Sequence, residues 1–328
     1  MEIALSIPHL RGHVHVGTSL GSITPTLSEK RSMFILGMGF VGQSFARKLQ
    51  NQGWVVSGTC TSHAKKKQLQ DMGFHVQLFD ANHPNLDILQ ILKNYTHILV
   101  SIPPLLGIGD PMLRHEDLIG SSLINGDLQW LCYLSSTSVY GDCDGELVNE
   151  DYPTNPESEL AILRLASEKG WSNLTNNLGK SPLLFRLGGI YGPGRSAVDT
   201  IIKQKSLSER QKRRKHRKYT SRVHVEDICQ ALMATLYAPS PREVYNIVDD
   251  DPAPREEVFE YAMKLVEEKW PELKLQSVEQ RSNVNPRGDK RVCNARMKSE
   301  LGVQLLYPDY RSGLKSIIHH IQTPFHCH

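Results

Sequence analysis

MFILGMGFVGQSFARKLQNQGWVVSGTC, residues 33–60, decides how the rest of the chain is read. A short apolar run gives way to a glycine turn, then to apolar residues at helical spacing, then to a second apolar run. That is the pattern of a βαβ unit. Gly37, Gly39 and Gly42 fall in GxGxxG spacing at the joint between strand and helix. There the glycines permit a tight turn, a close backbone approach to a pyrophosphate, and close packing of helix on strand, with the helix N-terminus facing the phosphates. The spacing alone also suits a turn needed only for packing; its placement between strand and helix makes dinucleotide binding the expectation.

The end of the second strand bears on which dinucleotide. A carboxylate there would accept hydrogen bonds from a ribose with a free 2′-hydroxyl. The sequence instead runs GTCTSHAKKK, residues 58–67, with no acid. Thr61, Ser62 and Lys65, Lys66 and Lys67 offer hydroxyl and ammonium donors for a 2′-phosphate. NADP(H) is therefore the preferred cofactor and NAD(H) the alternative; a solvated helix face is the plainer reading of the lysines.

Further apolar runs follow with helical connections between them: FHVQLFD to Asp80, THILVSI to Ile102, LQWLCYLSS to Ser136 and SPLLFRLGGIYG to Gly192. Such alternation predicts an α/β fold, a doubly wound parallel sheet of Rossmann type with ligands at the carboxyl ends of its strands. Ser135, Ser136, Thr137, Tyr140, Arg186 and Tyr191 fall at or near such ends. Residues 155–169, NPESELAILRLASEK, read as a helix with Asn155 as cap, Pro156 in the first turn, and Glu157 and Glu159 at the positive dipole end.

GMGFVG, LSSTSVYGD, the NEDYPTNPESE approach to a helix, RLGGIYGPGR and SRVHVEDICQAL occur in one order. In carrying them the chain resembles the extended short-chain dehydrogenase/reductases, specifically the NAD-dependent epimerase/dehydratase family, over about residues 32–250. It resembles a plant and bacterial subgroup in its C-terminal third. The resemblance implies a Rossmann NAD(P)-binding domain over residues 32–195, with 220–250 returning to it, and a small C-terminal α/β substrate lobe from 196–219 and 251–328. It also implies that Gly37, Gly39, Phe40, Val41, Gly42, Ile102 and Pro103 line the cofactor, that Asp80 lies by the adenine, and that Ser136, with Thr137 beside it, meets a substrate hydroxyl or carbonyl.

The family's reaction uses a Tyr and a Lys four residues apart, the Tyr as acid or base and the Lys to lower its pKa and hold the nicotinamide ribose. Laid over this chain, the pattern places Leu160 at the Tyr and Arg164 at the Lys. An alkyl side chain moves no proton, while Arg164 retains a charge for the ribose. Two readings follow. Either the protein is an oxidoreductase or epimerase/dehydratase on a nucleotide sugar or small carbonyl compound, its proton carried by Tyr140, Tyr191 or a water on Ser136 and Thr137, or it is an NADP(H)-dependent sensor, scaffold or assembly factor.

The remaining features are less specific. Hydrophobic residues make up 39% of the 328, and the most apolar stretch is cut by Pro103 and Pro104, short of a membrane span. Six scattered cysteines predict free thiols and no metal site, and the paired histidines near residues 319–328 lack companion ligands. The net charge of +3 hides a basic run, nine Lys or Arg against one Glu over 203–218, so the remainder is net acidic. Within it, 210–218 lacks interleaved aromatics, which argues against nucleic acid as a partner; a solvated segment, or one that attracts anionic substrates, is expected. Residues 3–28 hold seven Ser or Thr and no acid, which suits a chloroplast transit peptide or a disordered leader over 1–31, with a cytoplasmic location otherwise. A homodimer through helices of the sheet layer is the expected assembly. His224 reads as structural, and PREEVFEYAMKLVEEKW reads as a helix burying Val258, Ala262, Leu265 and Val266. Asn294 and Gly302 read as the two caps of a helix between them.

Overall fold

The computed structural model describes residues 31–203, 219–238, 243–273 and 290–323. The leader, the basic run at 210–218 and the last histidines lie outside the described residues. Arg31–His328 forms one compact unit.

The opening βαβ unit forms as its pattern predicts. Strand β1 (Ser32–Leu36) is buried throughout, α1 (Phe40–Gln50) buries Val41, Phe45, Ala46 and Leu49 along one face, and β2 (Val55–Cys60) returns parallel to β1. Helix α2 (His63–Asp71) leads to β3 (His75–Leu78). A single turn, α3 (Asp87–Gln90), precedes β4 (His97–Val100), and α4 (Glu116–Ile124) precedes β5 (Trp130–Ser136). Beyond these come β6 (Leu147–Val148), α5 (Glu159–Asn177) and β7 (Leu183–Leu187). The rest of the chain supplies β8 (Gly189–Tyr191), α6 (Ala197–Ile202), β9 (Arg222–His224), α7 (Val225–Tyr237) and β10 (Val244–Ile247). It closes with α8 (Arg255–Lys269), β11 (Arg291–Val292), α9 (Ala295–Leu301) and α10 (Tyr310–His320).

Seven parallel strands form one sheet in the order β10-β7-β5-β4-β1-β2-β3. The order reverses between β1 and β4, so the crevice for a ligand opens at their carboxyl ends. One apolar layer, with Phe45, Leu49, Ile228 and Leu232, covers one face; another, with Ile119, Leu123, Trp171 and Leu174, covers the other. A third cluster, with Val198, Val258, Ala262, Leu265, Val266 and Leu314, packs α6, α8 and α10 together.

Two readings from sequence are corrected. SPLLFRLGGIYG is two strands, because the chain leaves the sheet at Gly188. A side chain there would meet the Ser221 carbonyl oxygen at 3.0 Å, and the next N–H, of Gly189, donates to that oxygen as β8 pairs with β9. The cap of α5 is Ser158, whose side chain accepts from the Ala161 N–H, and Asn155 stands outside the helix. The Asn155 carbonyl is instead packed where a side chain on Gly141 would be. At the other helix, Asn294 and Gly302 stand at the two caps as expected, Gly302 in the left-handed conformation, while the Asn294 amide donates to Val248 and Asp250 and makes no cap bond to its own helix.

Candidate functional site

The glycine turn is shaped from both sides. Gly37 has φ of +103°, and a side chain on it would strike Ile102, which follows β4. Its N–H donates to Thr59 Oγ1 at 2.9 Å, and the Met38 N–H donates to the Thr59 carbonyl at 2.7 Å, so β2 holds the turn in place. A Cβ on Gly42 would lie 2.5 Å from the Gly37 carbonyl oxygen, which makes it the residue of helix-to-strand packing. Gly39 differs, since a Cβ there would meet nothing within 4 Å. It is also the N-cap of α1 and, lacking a side chain, makes no cap bond to the first turn. Open space over an uncapped helix start fits a pyrophosphate. Val41 is buried in the core, so only its backbone can serve a ligand, and the Phe40 ring lies under the Arg195 guanidinium at 5.4 Å.

A cavity of about 540 Å³ lies beyond β2 and β3 and brings together Thr61, Ser62, His63, Lys66, Asp80 and His83 above Leu78 and Ile88. Of the three lysines only Lys66 lines it; Lys65 donates to Gln68 at 2.9 Å. Ser62 caps α2 by accepting from the Lys65 N–H, and Asp80 accepts from the Asn82 backbone and amide. His63 and His83 are the residues that sequence reasoning missed; the strand pairing of β2 with β3 brings their loops together.

At the carboxyl end of β5, Ser136 Oγ accepts from the Ser138 N–H at 3.2 Å, leaving its own proton free to donate. Thr137 is half-buried and its hydroxyl has no partner among the described residues. Helix α5 packs on β5 and on the 137–140 turn. It carries Leu160 and Arg164 one turn apart, both half-buried, with Arg164 Nη1 3.5 Å from the Leu134 carbonyl in β5. Pro103 is exposed beyond β4, while Ile102 adjoins the glycine turn.

The two tyrosines considered as proton carriers are committed elsewhere. Tyr140 is 1% exposed; its hydroxyl donates to Asn246 at 2.8 Å and accepts from Arg186 at 3.0 Å. Burial, opposed by Arg186, raises its pKa. Tyr191 is also buried, donates to the Asp309 carbonyl, and is raised further by desolvation and the Asp249 charge. Both hydroxyls are thus hydrogen-bonded within the fold, and Tyr191 also lines the second cavity, described next. Arg186 lies within β7, paired to buried Glu168.

A second cavity, of about 360 Å³, opens beside β8, α6, β9 and α8, with Arg195, Lys203, Arg222 and Arg255 on its walls and Asp199 as the one acid among its lining residues. Ser196 caps α6 and donates to Asp199 at 2.5 Å. Arg222 donates to the Thr220 carbonyl at 2.8 Å. Arg255 Nη2 and Thr220 Oγ1 are buried without a hydrogen-bond partner among the described residues. Burial, with the charge of Arg222, lowers Arg255 to about 10. Four cationic side chains against one acid give this cavity a positive wall.

Among the described residues no cluster of His, Cys, Asp or Glu has metal-binding geometry, and Cys60, Cys132, Cys143, Cys229 and Cys293 form no disulfide. No helix among them is long and apolar enough to cross a membrane. His224 caps α7 by accepting from the Glu226 N–H, a structural role.

Residues 117–248 match the model of the NAD dependent epimerase/dehydratase family. Protein YeeZ of Escherichia coli (strain K12) is 28% identical over 287 residues, spanning 85% of this chain and 97% of that protein. The solved structure of a functionally unknown conserved protein from Silicibacter pomeroyi DSS is 32% identical, with a TM-score of 0.71 over 89% of this chain and all of the other. UDP-glucuronic acid 4-epimerase from Bacillus cereus, solved with UDP-glucuronic acid and NAD, shares the fold at 17% identity, with a TM-score of 0.67 over 88% of this chain and 98% of that one.

Proposed function

This chain belongs to the NAD-dependent epimerase/dehydratase family, and from that premise we propose that it binds NADP(H) at the β1–β4 crevice and acts as an oxidoreductase-type protein on an anionic, nucleotide-sugar-like substrate. The observation that carries the substrate class is the cavity walled by Arg195, Lys203, Arg222 and Arg255, with a buried Arg255 nitrogen left unpaired among the described residues. The preference for NADP(H) is supported by Thr61, Ser62 and Lys66 around the cavity beyond β2, where the end of β2 offers no carboxylate and Asp80, beyond β3, is bonded to Asn82.

When bound, the nicotinamide would exchange a hydride with a substrate carbon. The chain's own part is to position and to handle the proton. Gly39 and the start of α1 receive the pyrophosphate, and Arg164 supplies a fixed charge near the end of β5. Ser136 donates a hydrogen bond to a substrate oxygen or, with Thr137, holds the water that carries the proton. Arginine holds its charge at all working pH values and relays no proton. The missing Tyr therefore slows the step by roughly 10² to 10⁴.

Fluorescence titration with NADPH and NADH, then a turnover screen against UDP-sugars and small carbonyl compounds, tests the proposal. No binding of either dinucleotide refutes it. A second reading, cofactor binding without turnover in a sensor or scaffold, is favoured by Leu160 and by the engagement of both tyrosines. Leu160→Tyr with Arg164→Lys separates the two: a gain of reductase activity shows that the rest of the site is competent, whereas tight NADPH binding with no gain supports the sensor.

Ile124 on α4 and Ile162 on α5, 70% and 51% exposed, support a homodimer through these helices, to be measured by light scattering. The acid-free, Ser/Thr-rich residues 3–28 support delivery to a chloroplast, tested by a fluorescent fusion of residues 1–31.

A further inference from the structure

Each arginine that lines the second cavity lies over an aromatic ring, and the rings belong to different parts of the fold. Arg222 is 5.8 Å from the centre of the Tyr310 ring at the start of α10, and Arg255 is 4.3 Å from that of Phe259 on α8. Arg195 is 5.4 Å from the centre of the Phe40 ring. Phe40 is the first residue of α1, next to Gly39, whose missing side chain leaves open space over the helix start. Arg195 therefore lines the cationic cavity and also borders the glycine turn.

The backbone fixes this placement. Gly192 and Arg195 close a turn by bonding each other's backbones reciprocally, at 3.2 and 3.0 Å. A Cβ on Gly192 would meet Phe40 Cζ at 3.1 Å and Val225 Cγ1 at 2.7 Å, so the turn is pressed against the starts of α1 and α7. Ser196, the next residue, is buried and caps α6. The turn is thus held at both ends, and the exposed Arg195 side chain projects from it between the two sites. A guanidinium carries five N–H donors around a planar rim, so it can bond two anions at once.

We propose that Arg195 is shared between the two ligands, bonding the dinucleotide pyrophosphate on one side and the anionic group of the substrate on the other, so that each tightens the binding of the other. The inference rests on the reading of both sites given above and adds the residue that joins them. Two anions in neighbouring sites repel, which weakens whichever binds second. A cation between them reverses the sign, because the first ligand orders the side chain and the second finds it in place. Arg222 and Arg255, over rings of α10 and α8, serve the substrate alone. The cavity reaches its full affinity only in the cofactor-loaded protein.

The test is fluorescence titration of NADPH at low salt, with and without saturating UDP-glucose, and the reciprocal titration of UDP-glucose by calorimetry. The proteins are the wild type, Arg195→Met, Arg195→Lys and Arg255→Met. In the wild type UDP-glucose should tighten NADPH binding about five-fold or more, and the reciprocal titration should return the same factor. Arg195→Met, which should melt with the wild type because the side chain is exposed, should bring the factor to one or below. Arg195→Lys should keep part of it, and Arg255→Met should keep all of it while binding UDP-glucose more weakly. A factor of one in the wild type, or the same factor in the wild type and Arg195→Met, overturns the shared arginine and leaves both binding sites standing. No binding of UDP-glucose by the wild type, with or without NADPH, overturns the substrate reading and this inference with it.

Discussion

Glu168 on α5 and Arg186 on β7 form a two-pronged ion pair in the interior, with Arg186 Nη2 2.8 Å from Oε2 and Nε 3.1 Å from Oε1. Both residues are buried. The pair also accepts the Ser135 hydroxyl, at 2.5 Å, and Arg186 reaches on to Tyr140. Helix α5 is thereby held to β5 and β7 by charge as well as by apolar contact.

Removing one partner strands the other. Glu168→Ala leaves a buried guanidinium without its counter-charge and should cost about 3–5 kcal/mol of stability by urea unfolding. Tyr140→Phe should cost about 1–2 kcal/mol, because Asn246 and Arg186 lose a hydrogen-bond partner. NADPH affinity should stay unchanged in Tyr140→Phe, as befits a brace; a large fall in turnover at constant stability would restore it as a proton carrier.

The glycines of the turn should separate folding from binding. Gly42→Ala presses a methyl against the Gly37 carbonyl and should lower stability by about 1–3 kcal/mol. Gly39→Ala projects its Cβ into open space, so its melting temperature should fall by little while its NADPH affinity falls about ten-fold through exclusion of the pyrophosphate. Equal NADPH affinity in Gly39→Ala would place the phosphates elsewhere.

Arg255 should show the opposite balance. Its buried, unpaired nitrogen is a cost to the free protein, so Arg255→Met should raise stability by about 1 kcal/mol. It should weaken UDP-glucose binding about ten-fold or more, since a charge-assisted contact to phosphate is lost. Calorimetry reads both quantities, and unchanged affinity would remove the cavity from the substrate's path.

His224 and Asp227 should contribute opposite pH dependences. Burial holds Asp227 at about 6, although the N–H groups of Leu306 and Tyr307 bind its carboxylate. A folded pKa raised above the unfolded value gives a contribution complete below about pH 4 and lost as pH rises through about 6. Burial lowers His224 to about 4, so its contribution is complete above about pH 6.5 and lost as pH falls through about 4. In the wild type the two slopes offset each other. Relative to wild type, His224→Asn should lose stability from pH 4 to 6, and Asp227→Asn should lose it from pH 6.5 to 4, each by up to about 3 kcal/mol. Urea unfolding at a series of pH values checks both signs.

The turn at residues 37–42 was legible because local spacing alone dictates it, and so was the buried face of α8. The cap of α5 was not, since Asn155 and Ser158 both suit the role and only the packing against Gly141 selects between them. The fates of Tyr140 and Tyr191 were hidden for a different reason. Their partners, Asn246 and Asp309, lie 106 and 118 residues away in the chain. Arg255 was equally invisible, because an arginine at the start of an amphipathic helix looks solvated until β9 and the loop before α6 close around it. His63 and His83 required the pairing of β2 with β3.

The late strands have a consequence for synthesis. Strand β10 completes the sheet beside β7, and β11 pairs with β6, a strand made about 140 residues earlier. A nascent chain emerging from the ribosome carries β7 with a bare edge until residues 244–247 arrive, and β6 alone until residues 291–292 do. An edge left open for that long invites pairing with another molecule. Ribosomes stalled before residue 244 should therefore display a chaperone client, and chains released after residue 292 should not.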